Sequence, residues 1–200
     1  MYQLKLTYFD IEGRGEPARL AMALGNIPFE DERIAMASWP AHKAKMTFEA
    51  VPVLTVNGRQ VSQSNAINRF VGKLANLYPE DALQALYCDE VMDAVDDVME
   101  KIVATFFMEE AQKKATREEL LKGPIKLYLT RLQERLALGG GEFFAGNALS
   151  MADLKVYAWV KSLRSGMLDY VPTDTVDRLT PALVSHFEKI DAKVNNAVCA

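Results

Sequence analysis

The sequence has few of the residues that build disulfide frameworks and metal sites. It contains two cysteines and two histidines in 200 residues, and Cys88 and Cys199 form no Cys-x-x-Cys pair. Disulfide scaffolds and zinc sites need more of these residues at shorter spacing. We therefore expect neither, and we expect a reducing, intracellular compartment.

Long apolar runs and an excess of positive charge are also lacking. No apolar run approaches the roughly 20 residues that span a bilayer, and the opening MYQLKLTYFD alternates like a strand rather than like a signal peptide. The formal net charge is -4, from 23 Lys+Arg against 27 Asp+Glu, which gives no basic field for nucleic acid or acidic membranes. These features predict a cytoplasmic protein whose partners are small molecules or other proteins.

The first part of the chain alternates strand and helix patterns. Residues 2–8 alternate as a strand, GRGEPARLAMALGN predicts a helix that ends at Gly25, and residues 28–35 predict a second strand. An irregular polar segment follows from Ser38 to Glu49. VPVLTVNGRQVSQ then predicts two strands joined by the hairpin signal Asn57-Gly58, and a helical pattern closes near Leu77.

After residue 78 the pattern changes to long helices without strand signals. Two apolar stripes have helical spacing: Leu83, Tyr87, Val91, Ala94, Val98, Ile102 and Phe106, and then Leu121, Ile125, Tyr128, Leu129, Leu132 and Leu136, entered or kinked at Pro124. Ser150 and Asp153 form a variant capping box for a further helix. Leu183, Phe187, Ile190 and Val194 mark a last helix. We predict a mixed α/β domain at residues 1–78 and an all-α domain at residues 82–200.

Two short segments raise a question about binding. VSQSNAI delivers Gln63 and Ser64 to a helix entrance, where Ser64 either caps the helix or helps to receive an anionic ligand. From these residues alone, capping is favoured. Val51-Pro52 precedes a strand either as an ordinary trans turn or as a cis turn that would aim the backbone of Val51 at an extended ligand, and from these residues alone the trans turn is favoured.

Three segments in this order carry a resemblance: KLTYFDIEGRGEPARL, RIAMASWPAHKAKMTFEAVPVLTVNG and VSQSNAINRFVGKL. They resemble the N-terminal domain of cytosolic glutathione transferases, most closely the sigma class. The resemblance covers nearly the whole chain and is most specific in its first 80 residues. It implies a thioredoxin-like N-terminal domain followed by an all-helical C-terminal domain, with glutathione as co-substrate.

The resemblance also implies how both ends of this tripeptide are held. Gln63 and Ser64, with the helix N-terminus behind them, would receive the γ-glutamyl carboxylate. The backbone of Val51, at the turn with Pro52, would pair with the cysteinyl residue.

Three further binding residues follow from the same resemblance. The Trp39 ring N–H and the Lys43 ammonium would bind the glycyl end of glutathione. Asp97 would reach from the partner subunit of a homodimer toward the γ-glutamyl ammonium.

The resemblance makes Tyr8 the catalytic candidate, with Arg14 as its supporting cation and Arg19 as a less well placed alternative. The Tyr8 hydroxyl would donate a hydrogen bond to the glutathione sulfur. A free thiol has a pKa of about 8.5, so little of it is thiolate at neutral pH. Lowering that pKa by roughly 2 units requires about 2.7 kcal/mol of differential stabilisation.

The implied activity is conjugation of the glutathione thiolate to small hydrophobic electrophiles, a detoxification reaction. The electrophile would bind beside the helical domain, in a site built by loops near Phe9 and Arg14 and by Phe106, Phe107 and the C-terminal tail. Two alternatives remain: a glutathione-dependent isomerase or peroxidase of lipid-derived substrates, and a non-catalytic ligandin or crystallin-like protein. Ala104 stands where the prostaglandin synthase of this class has a tryptophan, which weakens a prostaglandin-specific activity.

Other polar residues have less specific patterns. Asp93, Asp96 and Asp97 resemble interface carboxylates that bind a divalent cation in the same synthase, but an acidic stripe is usually a solvated helix face, and we predict no metal site. His42 and His186 are isolated in the sequence, and we expect both at the surface.

Overall fold

The computed structural model describes the backbone of residues 2–198 and the side chains of residues 2–196. Cys199 and the end of the C-terminal tail lie outside the described residues. The described residues divide into two compact units: one comprises residues 2–78 together with residues 194–198, and the other is Pro79–Lys193. The assignment of separate functions to the two domains stays a prediction.

A four-stranded mixed sheet forms the first unit, with the order β2-β1-β3-β4. The strands are β1 (Leu4–Phe9), β2 (Glu30–Ile34), β3 (Val53–Val56) and β4 (Arg59–Ser62), and the helices are α1 (Glu16–Leu24), α2 (Trp39–Lys43) and α3 (Ser64–Leu74). β1 is parallel to β2 and antiparallel to β3, and β3 is antiparallel to β4. This β-α-β, β-β-α order confirms the predicted thioredoxin-like fold.

Local sequence explains these elements. Leu4, Leu6 and Tyr8 alternate along β1 and are buried. The hairpin between β3 and β4 turns at Asn57 and Gly58, which have φ angles of 49° and 84°. Positive φ at both central residues is the type I′ turn that matches the twist of paired strands.

One segment of the first unit differs from the prediction. The stretch from Ser38 to Glu49 was expected to be irregular, but it contains helix α2, preceded by a 3₁₀ turn at Met36–Ser38. Pro40 lies in the first turn of α2, where its missing N–H costs no intrahelical bond. Five residues are too few to display an apolar period, so periodicity alone misses this helix.

Helices form the second unit: α4 (Ala82–Val103), α5 (Glu110–Leu120), a π-helical turn (Leu121–Ile125), α6 (Lys126–Leu138), α7 (Met151–Arg164), α8 (Thr175–Leu179) and α9 (Pro181–Val198), whose end falls in the first unit. The π turn contains Pro124, which confirms the predicted irregularity at that residue. Across the described residues, no strand follows β4. This part of the fold is all-α, as expected.

Three details of the helical prediction are wrong. Leu83 and Tyr87 of the predicted stripe are exposed, and Phe106 lies beyond α4. The buried face of α4 is rotated and consists of Cys88, Val91, Met92, Val95, Val98 and Ile102. The sequence also gave no indication of α5 and α8, because α5 is polar with only Arg117 buried and α8 is one short turn.

A buried carboxylate anchors α7, the most buried helix of this unit. Asp153 accepts hydrogen bonds from the Ser150 N–H at 2.8 Å, the Ser150 hydroxyl at 2.6 Å and the Phe144 N–H at 3.1 Å. His186 Nε2 lies 2.9 Å from the same carboxylate. The capping box is therefore confirmed, and it belongs to a larger buried network.

The surface location predicted for His186 is wrong, because its exposure is 3%. His186 lies between Leu183 and Ile190, which are buried, at the i+3 and i+4 spacing of one helix face. The sequence shows this spacing, but histidine is a polar residue, so the buried position of His186 was not predicted.

We expect Asp153→Ala to destabilise the protein far more than Asp81→Ala, although both carboxylates cap a helix. Asp81 is exposed and accepts from the N–H groups of Leu83 and Gln84, so water replaces it at a cost of about 1 kcal/mol. Loss of Asp153 leaves several buried donors unpaired, at about 3 kcal/mol or more. Denaturant unfolding measures both values, and equal losses would contradict the role given to the buried network.

Candidate active site

Tyr8 lies near the end of β1 with an exposure of 6%. Its hydroxyl oxygen accepts a hydrogen bond from the backbone N–H of Arg14 at 3.0 Å. Because the oxygen is the acceptor, this bond does not use the hydroxyl proton. The bond also fixes the direction of the C–O bond.

A glycine-rich turn lies directly against the Tyr8 ring. A Cβ atom at Gly13 would lie 2.6 Å from the Tyr8 hydroxyl oxygen, and one at Gly15 would lie 2.6 Å from ring carbons of Tyr8. Gly13 also has a φ of +52°, which favours glycine. The sequence Gly-Arg-Gly therefore lets the Arg14 N–H approach the hydroxyl.

Arg19 has a structural role in the same region. It is buried, its Nε lies 2.9 Å from an Asp31 oxygen and its Nη1 lies 3.4 Å from a Glu16 oxygen. Its guanidinium lies 5.7 Å from the centre of the Tyr8 ring, on the ring face rather than at the hydroxyl. Arg14, through its backbone, is the arginine that contacts the hydroxyl.

A small cavity of about 80 Å³ adjoins the start of α3, lined by Arg14, Phe48, Ala50, Val51, Pro52, Ser62, Gln63 and Ser64. The Val51-Pro52 peptide bond is cis, so the trans turn favoured from those residues alone is wrong. Five of the predicted site residues thus meet at one cavity. Tyr8, Trp39 and Lys43 are not part of its lining, although Tyr8 is linked to it through Arg14.

The start of α3 differs from the simple capping interpretation. Gln63 occupies the N-cap position and makes no side-chain cap bond, while Ser64 is the first helical residue. Gln63 also has a φ of 76°, a left-handed conformation that is uncommon outside glycine. Such backbone conformations cluster at binding sites. The helix N-terminus therefore adjoins a cavity whose lining residues are half polar and half apolar.

Trp39 and Lys43 belong to α2. The Trp39 ring packs edge-on against Phe9, with the ring centres 5.4 Å apart. The Lys43 ammonium lies 3.8 Å from a carboxylate oxygen of Glu49, and both side chains are more than half exposed. The Trp39 contact fastens α2 to the end of β1.

Sequence reasoning missed Ser62 as a site residue. It ends β4, its exposure is 7%, and its Oγ has no hydrogen-bond partner among the described residues. Its position just before Gln63 was the available signal, but a serine at a strand end is common and carries no specific pattern.

The acidic stripe of α4 lies in the second unit and is partly paired. Asp97 accepts a hydrogen bond from the Tyr128 hydroxyl at 3.3 Å. Burial and the charge of Asp97 together raise the pKa of Tyr128. Asp96 lies 2.8 Å from the ammonium of the buried Lys155, so it is a structural ion-pair partner rather than part of a solvated face. In the described part of the chain, no three His, Cys, Asp or Glu residues form a group that could hold a metal ion.

Comparisons with known proteins agree with this geometry. Residues 4–73 match the family model for the glutathione S-transferase N-terminal domain, and residues 96–195 match the model for the C-terminal domain. The chain belongs to the glutathione S-transferase family. The two matches together span most of this transferase, in agreement with the resemblance to cytosolic glutathione transferases.

Individual relatives of the transferase are similar along most of its length. Glutathione S-transferase 1 of Ascaris suum is 33% identical over 175 residues, covering 86% of this chain and 85% of the relative. Human hematopoietic prostaglandin D synthase is 31% identical over 194 residues, covering 96% of this chain and 92% of the relative. A solved structure of prostaglandin synthase D from Nilaparvata lugens has a TM-score of 0.87 and 30% identity, and the match covers 98% of this chain and 97% of that chain.

Within residues 2–198, no helix is both long and apolar enough to cross a bilayer.

We expect Gly15→Ala to destabilise the protein by about 1–3 kcal/mol, because the new methyl group would overpack against the Tyr8 ring. Any activity that depends on the Tyr8 hydroxyl should fall with it. Gly123→Ala is the matched control, since a Cβ there meets nothing within 4 Å. Unfolding and activity assays on both variants measure the difference, and indistinguishable variants would contradict the close packing on Tyr8.

Proposed function

We propose that this protein is a glutathione transferase that conjugates the glutathione thiolate to small hydrophobic electrophiles. The observation that carries the proposal is the Tyr8 hydroxyl, oriented by the Arg14 N–H beside the cavity at the start of α3. A non-catalytic binding protein would not require an oriented hydroxyl donor. Family membership supplies the co-substrate, glutathione.

The chemical step needs a thiolate at neutral pH. In the proposed complex, Tyr8 donates its hydroxyl proton in a hydrogen bond to the glutathione sulfur, which stabilises the anion. The Arg14 N–H keeps the hydroxyl directed, and the positive charge of Arg14 favours the anion further. Lowering the thiol pKa from about 8.5 by roughly 2 units takes about 2.7 kcal/mol, which a charge-assisted hydrogen bond largely supplies. The thiolate then attacks the electrophilic carbon and the leaving group departs.

The γ-glutamyl half of glutathione fits the cavity at the start of α3. Its carboxylate would receive hydrogen bonds from Gln63 and Ser64 and from the N–H groups of the helix N-terminus. The cysteinyl residue would lie along Val51, whose N–H and C=O pair with it as a strand edge pairs with an extended peptide. Pro52, buried beside Val51, completes the turn.

The glycyl carboxylate would bind to α2. The Lys43 ammonium now lies 3.8 Å from Glu49, and an exposed ion pair of this kind contributes little to stability. Replacing the Glu49 carboxylate by a ligand carboxylate as the partner of Lys43 therefore costs little free energy. The Trp39 N–H is a second donor on the same helix.

A second candidate reaction is glutathione-dependent isomerisation or peroxide reduction of lipid-derived substrates. The similarity to two prostaglandin D synthases favours it. Ala104, exposed at the end of α4, stands where the synthase has a tryptophan, which favours conjugation instead. Both reactions use the same activated thiolate and differ in the second substrate.

The sigma class is the class we propose, and with it a homodimer. Apolar side chains on α4 and α6 remain exposed in a single chain: Leu86 at 61%, Leu127 at 52% and Leu138 at 78%. Burial of such residues against a second copy would remove apolar surface from water. Asp97 lies on α4, so a dimer through these helices would present it to the partner.

Glutathione is kept reduced in the cytoplasm, and we propose that compartment for the protein.

Burial raises the pKa of the Cys88 thiol to about 11. Cys88 therefore stays a neutral thiol and does not compete with the glutathione thiolate as a nucleophile.

Tyr8→Phe tests the proposed chemistry. Loss of about 2.7 kcal/mol of thiolate stabilisation predicts a roughly 100-fold lower kcat with a chloronitrobenzene electrophile at neutral pH. Glutathione affinity should change only a few fold, because the carboxylate contacts remain. The matched control is Tyr2→Phe, a half-exposed tyrosine that packs on Phe70. A large affinity loss with unchanged turnover would overturn the role of Tyr8.

Mixed dimers test whether Asp97 acts across the subunit interface. Tyr8→Phe protein should be nearly inactive, and Asp97→Asn protein should have a raised KM for glutathione. In a hybrid of the two, the subunit that retains Tyr8 receives Asp97 from its partner, so mixing should produce activity with the wild-type KM. Absence of that activity in a mixture shown to contain hybrids, or a monomeric wild-type protein in sedimentation, would contradict the arrangement.

A further inference from the structure

Ser62 is a buried hydroxyl without an evident structural use. It is the last residue of β4, paired with Val53 of β3, and its exposure is 7%. Its Oγ has no hydrogen-bond partner among the described residues. Leaving a buried hydroxyl unpaired costs free energy, and native proteins rarely keep one without a reason.

The surroundings of Ser62 are those of an anion site. Ser62 lines the same cavity as Gln63 and Ser64, where the N-terminus of the eleven-residue helix α3 presents its N–H groups. Arg14 lines the cavity as well, and no acidic residue is among the described lining residues. A carboxylate is therefore the ligand group that this part of the cavity favours.

We propose that the Ser62 hydroxyl donates a hydrogen bond to the α-carboxylate of the γ-glutamyl residue. This inference rests on the proposed function and adds a binding residue to the same site. When glutathione binds, the Ser62 hydroxyl gains a hydrogen-bond partner, and the carboxylate of the ligand gains a hydrogen-bond donor. Ser62 thus selects for ligands that carry this carboxylate and takes no part in the chemical step.

Ser62→Ala gives two effects of opposite sign. Glutathione affinity, measured by isothermal titration, should fall about tenfold, as for loss of a hydrogen bond to a charged group. The unfolding midpoint of the ligand-free protein should stay the same or rise, because an unpaired buried hydroxyl has been removed. A merely structural role would lower the midpoint instead.

Thr7→Val is the matched control. Thr7 is a buried hydroxyl of the same sheet, and it donates to Glu32 at 2.6 Å. Its replacement should lower the unfolding midpoint and leave glutathione affinity unchanged. This pattern is the reverse of that expected for Ser62→Ala.

A ligand that lacks the carboxylate separates this inference from the proposed function. The probe is 4-aminobutyryl-cysteinyl-glycine, in which a hydrogen atom replaces the α-carboxylate of glutathione and the amino group is retained. Wild type and Ser62→Ala should bind it equally and more weakly than wild type binds glutathione. Equal binding of glutathione by the two proteins, or a tenfold difference that persists with the probe, would overturn the inference. If wild type itself fails to bind glutathione, the proposed function fails instead.

Discussion

The bond from the Arg14 N–H to the Tyr8 hydroxyl is the constraint on which the site depends. It requires a turn with glycine at positions 13 and 15, because a Cβ at either position would strike Tyr8. The same turn leads into α1, where the buried Arg19 pairs with Asp31 and lies against the ring face. The Arg19 guanidinium thus lies over the face of the Tyr8 ring, and the backbone N–H of Arg14 holds its hydroxyl.

The rest of the first unit supplies a ligand-binding edge next to that hydroxyl. The hairpin carries the chain from Val51-Pro52 to the start of α3, so the ends of β3 and β4 meet at one cavity. Gln63 keeps a positive φ there, and Ser62 keeps a buried hydroxyl without a partner among the described residues. Both features cost stability in the ligand-free protein, and in the proposed complex a carboxylate would pair with the Ser62 hydroxyl.

Sequence reasoning predicted the order of strands and helices along the first unit, the hairpin turn, the capping box at Ser150 and five residues of the cavity, because each has a local signal or a family motif. It missed α2 and α8, which are too short for a period, and α5, whose buried residue is the charged Arg117. It also misplaced His186 and overlooked the pairing of Asp96 with Lys155. Those features depend on contacts between distant segments, which hydrophobic periodicity does not encode.

The most direct test of the account is the pH titration of thiolate absorbance for glutathione bound to the wild-type protein and to Tyr8→Phe. The account predicts that the bound thiol has a pKa roughly 2 units below the free value of about 8.5, and that the value returns toward 8.5 without the hydroxyl. Binding of glutathione with an unshifted thiol pKa in the wild-type protein would contradict the claim that Tyr8 activates the sulfur.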